Sequence, residues 1–233
     1  MDLPASSFHV GVRLGRALLT LKSLRQVGGA LAVVAALAFP ADVRAAGADD
    51  SFRPLSAYSV EELVKLLQLE PHPNGTGFFQ RVYTSPQSVV NRNLPGNRTG
   101  PAERLTGTLI YSLLLPTYSA LHRLKSDEVI LFLTGNPLEV LLLKPDGSST
   151  QLTVGADLRH GQVSSVVIPA GTWMGYWSNP ALTSHAYTLL GAPVVPGFEY
   201  DDFEHADAEA LAHQYPAHAA LIRTLKERSL DKH

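Results

Sequence analysis

The chain has 233 residues, a formal net charge of −2, a pI near 6.5 and no cysteine. These values exclude disulfides, thiolate chemistry and cysteine-ligated zinc, and the lack of a basic face argues against nucleic acid as a partner. With 45% hydrophobic and 17% charged residues, the chain can build a real core and is too apolar for disorder; domains run roughly 100–200 residues, so one domain plus an N-terminal extension is expected.

Residues 1–48 read as a targeting segment. Arg13, Arg16, Lys22 and Arg25 face a single acid, Asp2, and are followed by an apolar run from Val27 to Phe39 that Pro40 ends. Small residues follow at Ala45–Ala48. A basic flank, a short apolar stretch and a small-residue exit describe a signal or transit peptide, and the run is shorter than the ~20 residues that cross a bilayer. Cleavage delivers residues 49–233 as one domain to the exterior or to an organelle lumen. The alternative is a membrane anchor retained at residues 27–39. On a secretory route, Asn74-Gly-Thr76 and Asn97-Arg-Thr99 have the glycan acceptor pattern.

The mature chain opens on a helix over Tyr58–Leu69. Ser59 is its N-cap, Glu62 completes a capping box, and Val60, Leu63, Val64 and Leu67 line one face. Residues 86–105, rich in Pro, Asn and Gly, read as a loop long enough to be functional. From Thr106 the texture is β: strands are expected at Thr108–Leu115, Ser119–Leu124, Val129–Leu133, Leu138–Leu143, Thr150–Val154, Val163–Ile168, Trp173–Trp177, His185–Leu190 and Ala192–Val195. Their even spacing and turn signals, such as Lys144-Pro-Asp-Gly147, indicate a mainly β sandwich or barrel. Ala206–His213 and Ala217–Lys226 return to helix.

His122 and Glu128 are the candidate chemical centre. They stand on what read as adjacent antiparallel strands joined by Lys125-Ser-Asp127. An inward imidazole and carboxylate can ligate a divalent metal or serve as base and orienting partner in proton transfer, with Tyr111 or Tyr176 as the acid. Arg81 and Arg104 are candidate clamps for an anion. Tyr83, Ser119, Asp127, Trp173 and Tyr176 complete the ligand-binding set. Each has a structural alternative: ion pairing for the arginines, turn capping for Asp127, wall or core packing for the aromatics.

The spacing His122-x5-Glu128-x6-Gly135 resembles the first cupin motif, and Pro169-x-Gly171 the core of the second. The chain is similar in order to the cupin family DUF985 (Cupin_5) through Pro71-His-Pro-Asn-Gly75, Ile110-Tyr111, Ser119-Ala-Leu-His-Arg-Leu-Lys-Ser-Asp-Glu128, Pro169-Ala-Gly-Thr-Trp173 and Pro196-Gly-Phe-Glu-Tyr-Asp-Asp-Phe203. The resemblance spans roughly residues 60–225. It implies an RmlC-like jelly-roll β-barrel with flanking helices at both ends, a small-molecule ligand inside it, and a homodimer. Metal-binding cupins supply three histidines and one glutamate. Here Leu124 and Met174 stand at two of the histidine positions, so only His122 and Glu128 remain for a metal. Arg81 replaces an acidic residue of the family pattern. The resemblance therefore leaves three readings: a metal-independent isomerase or epimerase-like enzyme acting on a sugar-like or anionic ligand, a non-catalytic binding protein, or a degenerate metal-dependent enzyme.

Overall fold

The computed structural model describes residues 52–73, 75–178 and 186–229. The targeting segment 1–48, with its alternative as an anchor at 27–39, lies outside the described residues, as do Asn74 and His185. Residues 51–233 form one compact unit. In chain order its strands are β1 (Glu70–Pro71), β2 (Gly77–Thr84), β3 (Ser88–Val90), β4 (Glu103–Leu105), β5 (Thr108–Leu114), β6 (His122–Leu124), β7 (Asp127–Gly135), β8 (Leu138–Leu143), β9 (Ser149–Val154), β10 (Ser165–Ile168), β11 (Trp173–Ser178), β12 (Thr188–Val195) and β13 (Phe203–His205). The helices are α1 (Val60–Leu66), α2 (Ala208–Gln214) and α3 (Ala219–Arg228).

Two antiparallel sheets face one another as a jelly roll. One has the order β1-β2-β5-β12-β7-β10 and the other β13-β6-β11-β8-β9. Alternation sorts each strand's side chains between the interior and an outer helical layer. On β8, Val140 and Leu142 join the interior with Ile130, Leu138, Val154 and Leu190. Leu141 and Leu143 point the other way, against Leu211, Ile222 and Leu225 of α2 and α3. Both faces are covered, which is why β8 reads as a nearly unbroken apolar run. Gly175 allows the close approach of α3: a Cβ there would stand 2.8 Å from Leu225 Cδ1.

On the opposite flank α1 seats Leu63 against Leu113 and Leu189 of the six-stranded sheet. The capping box forms as expected, with Ser59 Oγ accepting from the Glu62 amide and the Glu62 carboxylate accepting from the Ser59 amide. The 86–105 stretch is more ordered than its composition predicts. It folds into the β3–β4 hairpin, pinned by charge: Arg98 reaches Asp202 at 2.5 Å and Arg104 reaches it at 3.4 Å, all three side chains being nearly inaccessible.

Three boundary expectations change. β2 precedes the first strand expected from texture. The stretches around His185–Leu190 and Ala192–Val195 become the single strand β12, which starts at Thr188. The expected Ser119–Leu124 strand is reduced to β6.

Candidate functional site

A cavity of about 490 Å³ opens between the sheets. The six-stranded sheet contributes Phe79 and Arg81 from β2, Ile110 and Ser112 from β5, Glu128 from β7 and Ala192 and Val194 from β12. The other sheet contributes His122 and Leu124 from β6, Tyr176 from β11, and Phe203 and His205 from β13. Ser119, Phe198, Tyr200 and His72 close the rim.

His122 and Glu128 both line this space, but not as ladder neighbours. β6 and β7 belong to different sheets. The turn between them crosses from one layer to the other, so the two side chains enter the cavity from different sheets. His122 Nδ1 is hydrogen-bonded to the Ala120 carbonyl at 2.9 Å. A carbonyl only accepts, so Nδ1 carries the proton in that bond. The ring is held flat by Phe203, stacked at 5.0 Å, and edge-on by Tyr176 at 6.0 Å.

Glu128 pairs in register with Val194 and Ile168, both core residues. Its carboxyl keeps some accessible surface because the cavity is open, yet protein atoms surround it. Lost hydration pushes it up to about 7, since burial disfavours the charged form. A carboxyl there changes protonation near neutrality, which suits proton transfer.

Of the remaining candidates, Arg81, Ser119 and Tyr176 line the cavity. Ser119 Oγ accepts from the Tyr176 amide at 2.8 Å and so fixes the strand that carries Tyr176. Arg81 donates from Nη2 to the Phe198 carbonyl at 3.1 Å.

Five candidates are placed elsewhere. Tyr111 lies between Ile110 and Ser112, so alternation turns it to the outer face, where it packs beside α1. Tyr83 would share the inner face with Phe79 and Arg81 at a strict period of two. A bulge between Arg81 and Tyr83 shifts it opposite Leu109, and it is 53% exposed. Trp173 pairs with Leu143 in the outer layer, with the Arg123 guanidinium 4.2 Å above its ring. Asp127 accepts from the Ala170 amide at 2.8 Å and braces the Pro169-Ala-Gly171 turn. Arg104 is buried against Asp202, Asn91 and the Thr99 carbonyl.

Two lining histidines stand outside the candidate set. His72 lines the cavity with its ring 5.1 Å from Phe79; the Pro71-His-Pro73 motif is its signal in the sequence. His205 sits opposite His122 in register and so shares its face. No spacing in the sequence announces that pairing.

The residues present do not fit a resident metal. Leu124 and Met174 occupy two of the four positions used by metal-binding cupins, and both are buried with Ile130, Val140 and Leu142. Among the described residues, no group of three or more His, Asp or Glu is placed to hold a metal ion.

Comparison with known proteins agrees with this architecture. The family model described as "Cupin superfamily (DUF985)" matches residues 61–206. An uncharacterized protein of Saccharomyces cerevisiae is 30% identical over 149 residues, covering 62% of this chain and 73% of that one. A hypothetical protein from Leishmania major is similar in structure, with a TM-score of 0.61 and 32% identity over 72% of this chain and 98% of that one. A Shewanella oneidensis protein matches with a TM-score of 0.58 and 32% identity, covering 72% of this chain and 97% of that one.

Proposed function

Since this chain belongs to the Cupin_5 (DUF985) family of the cupin superfamily, we propose that its cavity binds a small polar molecule and moves a proton on it without a metal. One observation carries the reading: an imidazole bonded through Nδ1 to a backbone carbonyl and a carboxyl raised to about 7 approach one cavity from opposite sheets. In the proposed reaction His122 Nε2 takes a proton from a carbon next to a carbonyl. The electron pair of that C–H bond moves into an enolate. Protonated Glu128 returns a proton from the other sheet, with Tyr176, on the same sheet as His122, as a second donor. Acid and base on opposite faces of one carbon invert or relocate it, which is epimerase or isomerase chemistry. The volume is within the range of small-molecule sites.

The test is solvent exchange. Sugar nucleotides and small polar acids are screened for thermal stabilisation, and those that bind are incubated in deuterium oxide. Deuterium is expected at one carbon with the wild type, at a rate lowered at least about 100-fold in His122→Ala. A ligand that binds tightly and exchanges nothing would favour the second reading, a binding protein without chemistry. The apolar residues at Leu124 and Met174 lend that reading its support.

The homodimer and the cleaved targeting segment belong to the same proposal. Sedimentation and mass determination of the mature N-terminus test them.

A further inference from the structure

Arg81 adds a charge that the acid–base pair does not require. Arg53, Arg98, Arg104, Arg123 and Arg223 each pair with a carboxylate. Arg81 lines the cavity, and among the described residues its one hydrogen bond goes to a neutral carbonyl, that of Phe198. Among the described lining residues the one carboxyl is Glu128. A guanidinium facing a ligand-sized cavity without an anion of its own is a ready partner for one from outside.

Register fixes how far this charge lies from the acid–base pair. Arg81 on β2 is opposite Ile110 on β5, Ile110 is opposite Ala192 on β12, and Glu128 on β7 is opposite Val194, the second residue after Ala192. Three strand steps of about 4.8 Å and a two-residue offset put the two backbone positions ~16 Å apart along the sheet, and less across its curved interior. An extended molecule can reach from one side chain to the other, and the cavity of about 490 Å³ holds one.

We propose that Arg81 sets the ligand class: an elongated polyhydroxy carbonyl compound bearing an oxyanion, carboxylate or phosphoryl, docks its charged group on Arg81 while its uncharged carbonyl end lies between His122 and Glu128. This rests on the proton-transfer reading for the inner end. An anion at that inner end would meet a dehydrated carboxyl, which opposes the reverse orientation. Ser112 and Tyr176 offer hydroxyls to the polyhydroxy chain, and Phe79 and Phe203 offer ring faces.

Calorimetric titration of the full-length chain tests this, with a hexose phosphate, a hexuronate and the neutral hexose as probes. At least one anion is expected to bind at least about tenfold more tightly than the neutral sugar, with a gap that narrows as salt is added. The two anions tell phosphoryl from carboxylate. Arg81→Gln should erase the gap by weakening the anions, and an unchanged melting temperature is expected because the side chain is exposed. Arg81→Lys should keep part of it, retaining charge without the guanidinium fork. His122→Ala should keep the gap and lose deuterium exchange. Failure of both anions to outbind the neutral hexose, or a gap that survives Arg81→Gln, overturns the ligand class. A gap with no exchange in the wild type keeps the anion site and removes the proton-transfer chemistry.

Discussion

The two sheets are filled on one side and open on the other. Between β8–β9 and β7–β10 the inward residues other than Glu128 are aliphatic: Ile130, Leu138, Val140, Leu142, Val154 and Ile168, none more than 3% exposed. Between β6–β13 and β2–β5 the same two sheets turn His122, His205, Arg81, Ser112 and Phe203 inward, and a cavity results. Backbone architecture is shared, so side-chain chemistry makes the difference. Branched aliphatics interdigitate and exclude water, whereas imidazole, guanidinium and hydroxyl groups lose more by dehydration than they gain by packing. The open side is held in shape by charge. Asp202, between the lining residues Tyr200 and Phe203, is gripped by Arg98 and Arg104.

Asp202→Asn should therefore have the largest effect. It leaves two guanidiniums buried without their carboxylate and is expected to cost about 3–5 kcal/mol in denaturant unfolding; a loss near zero would mean that water already solvates the cluster. Leu142→Ala, on the filled side, should cost about 2–5 kcal/mol, and Ile110→Ala, on the open side, less than half of that. Equal losses would break the distinction between the sides.

Glu128→Gln sharpens the comparison through pH. The folded carboxyl sits at about 7, above its ordinary value of 4.5. The fold therefore favours the protonated form; that contribution is complete below about 4.5 and is lost as pH rises through about 7. At pH 8 the Gln variant should be more stable than wild type by at most about 3 kcal/mol, and near pH 4 the two should match. A difference that does not change with pH would show that cavity water hydrates the carboxylate fully. The smallest expected effect is that of Tyr111→Phe, which should leave deuterium exchange unchanged because the side chain is outside the cavity, while Tyr176→Phe should slow it.

Local rules carried part of this protein. The capping box of α1, the Lys144-Pro-Asp-Gly147 turn and the doubly buried β8 follow from neighbours within a few residues, and the ordered motifs around His122 and Glu128 pointed to the right family. Tyr111 and Tyr83 are candidates that the structure places outside the cavity. Which face of a strand is inward depends on where its partner lies, and one inserted residue at Val82 reverses it. Arg104 looked like an anion clamp because nothing near it in sequence foretells Asp202, 98 residues away.

The sequence by itself determined the elements and the family, because helix caps, turn residues and ordered motifs act over short separations. The tertiary structure alone decided the site's membership. It set His122 and Glu128 on different sheets instead of one ladder, bonded the His122 ring to the Ala120 carbonyl, brought His72 and His205 to the cavity, and spent Arg104 on the framework while turning Arg81 into the cavity. Those outcomes depend on how two sheets register across a shared interior, a long-range relation that no local pattern of residues encodes.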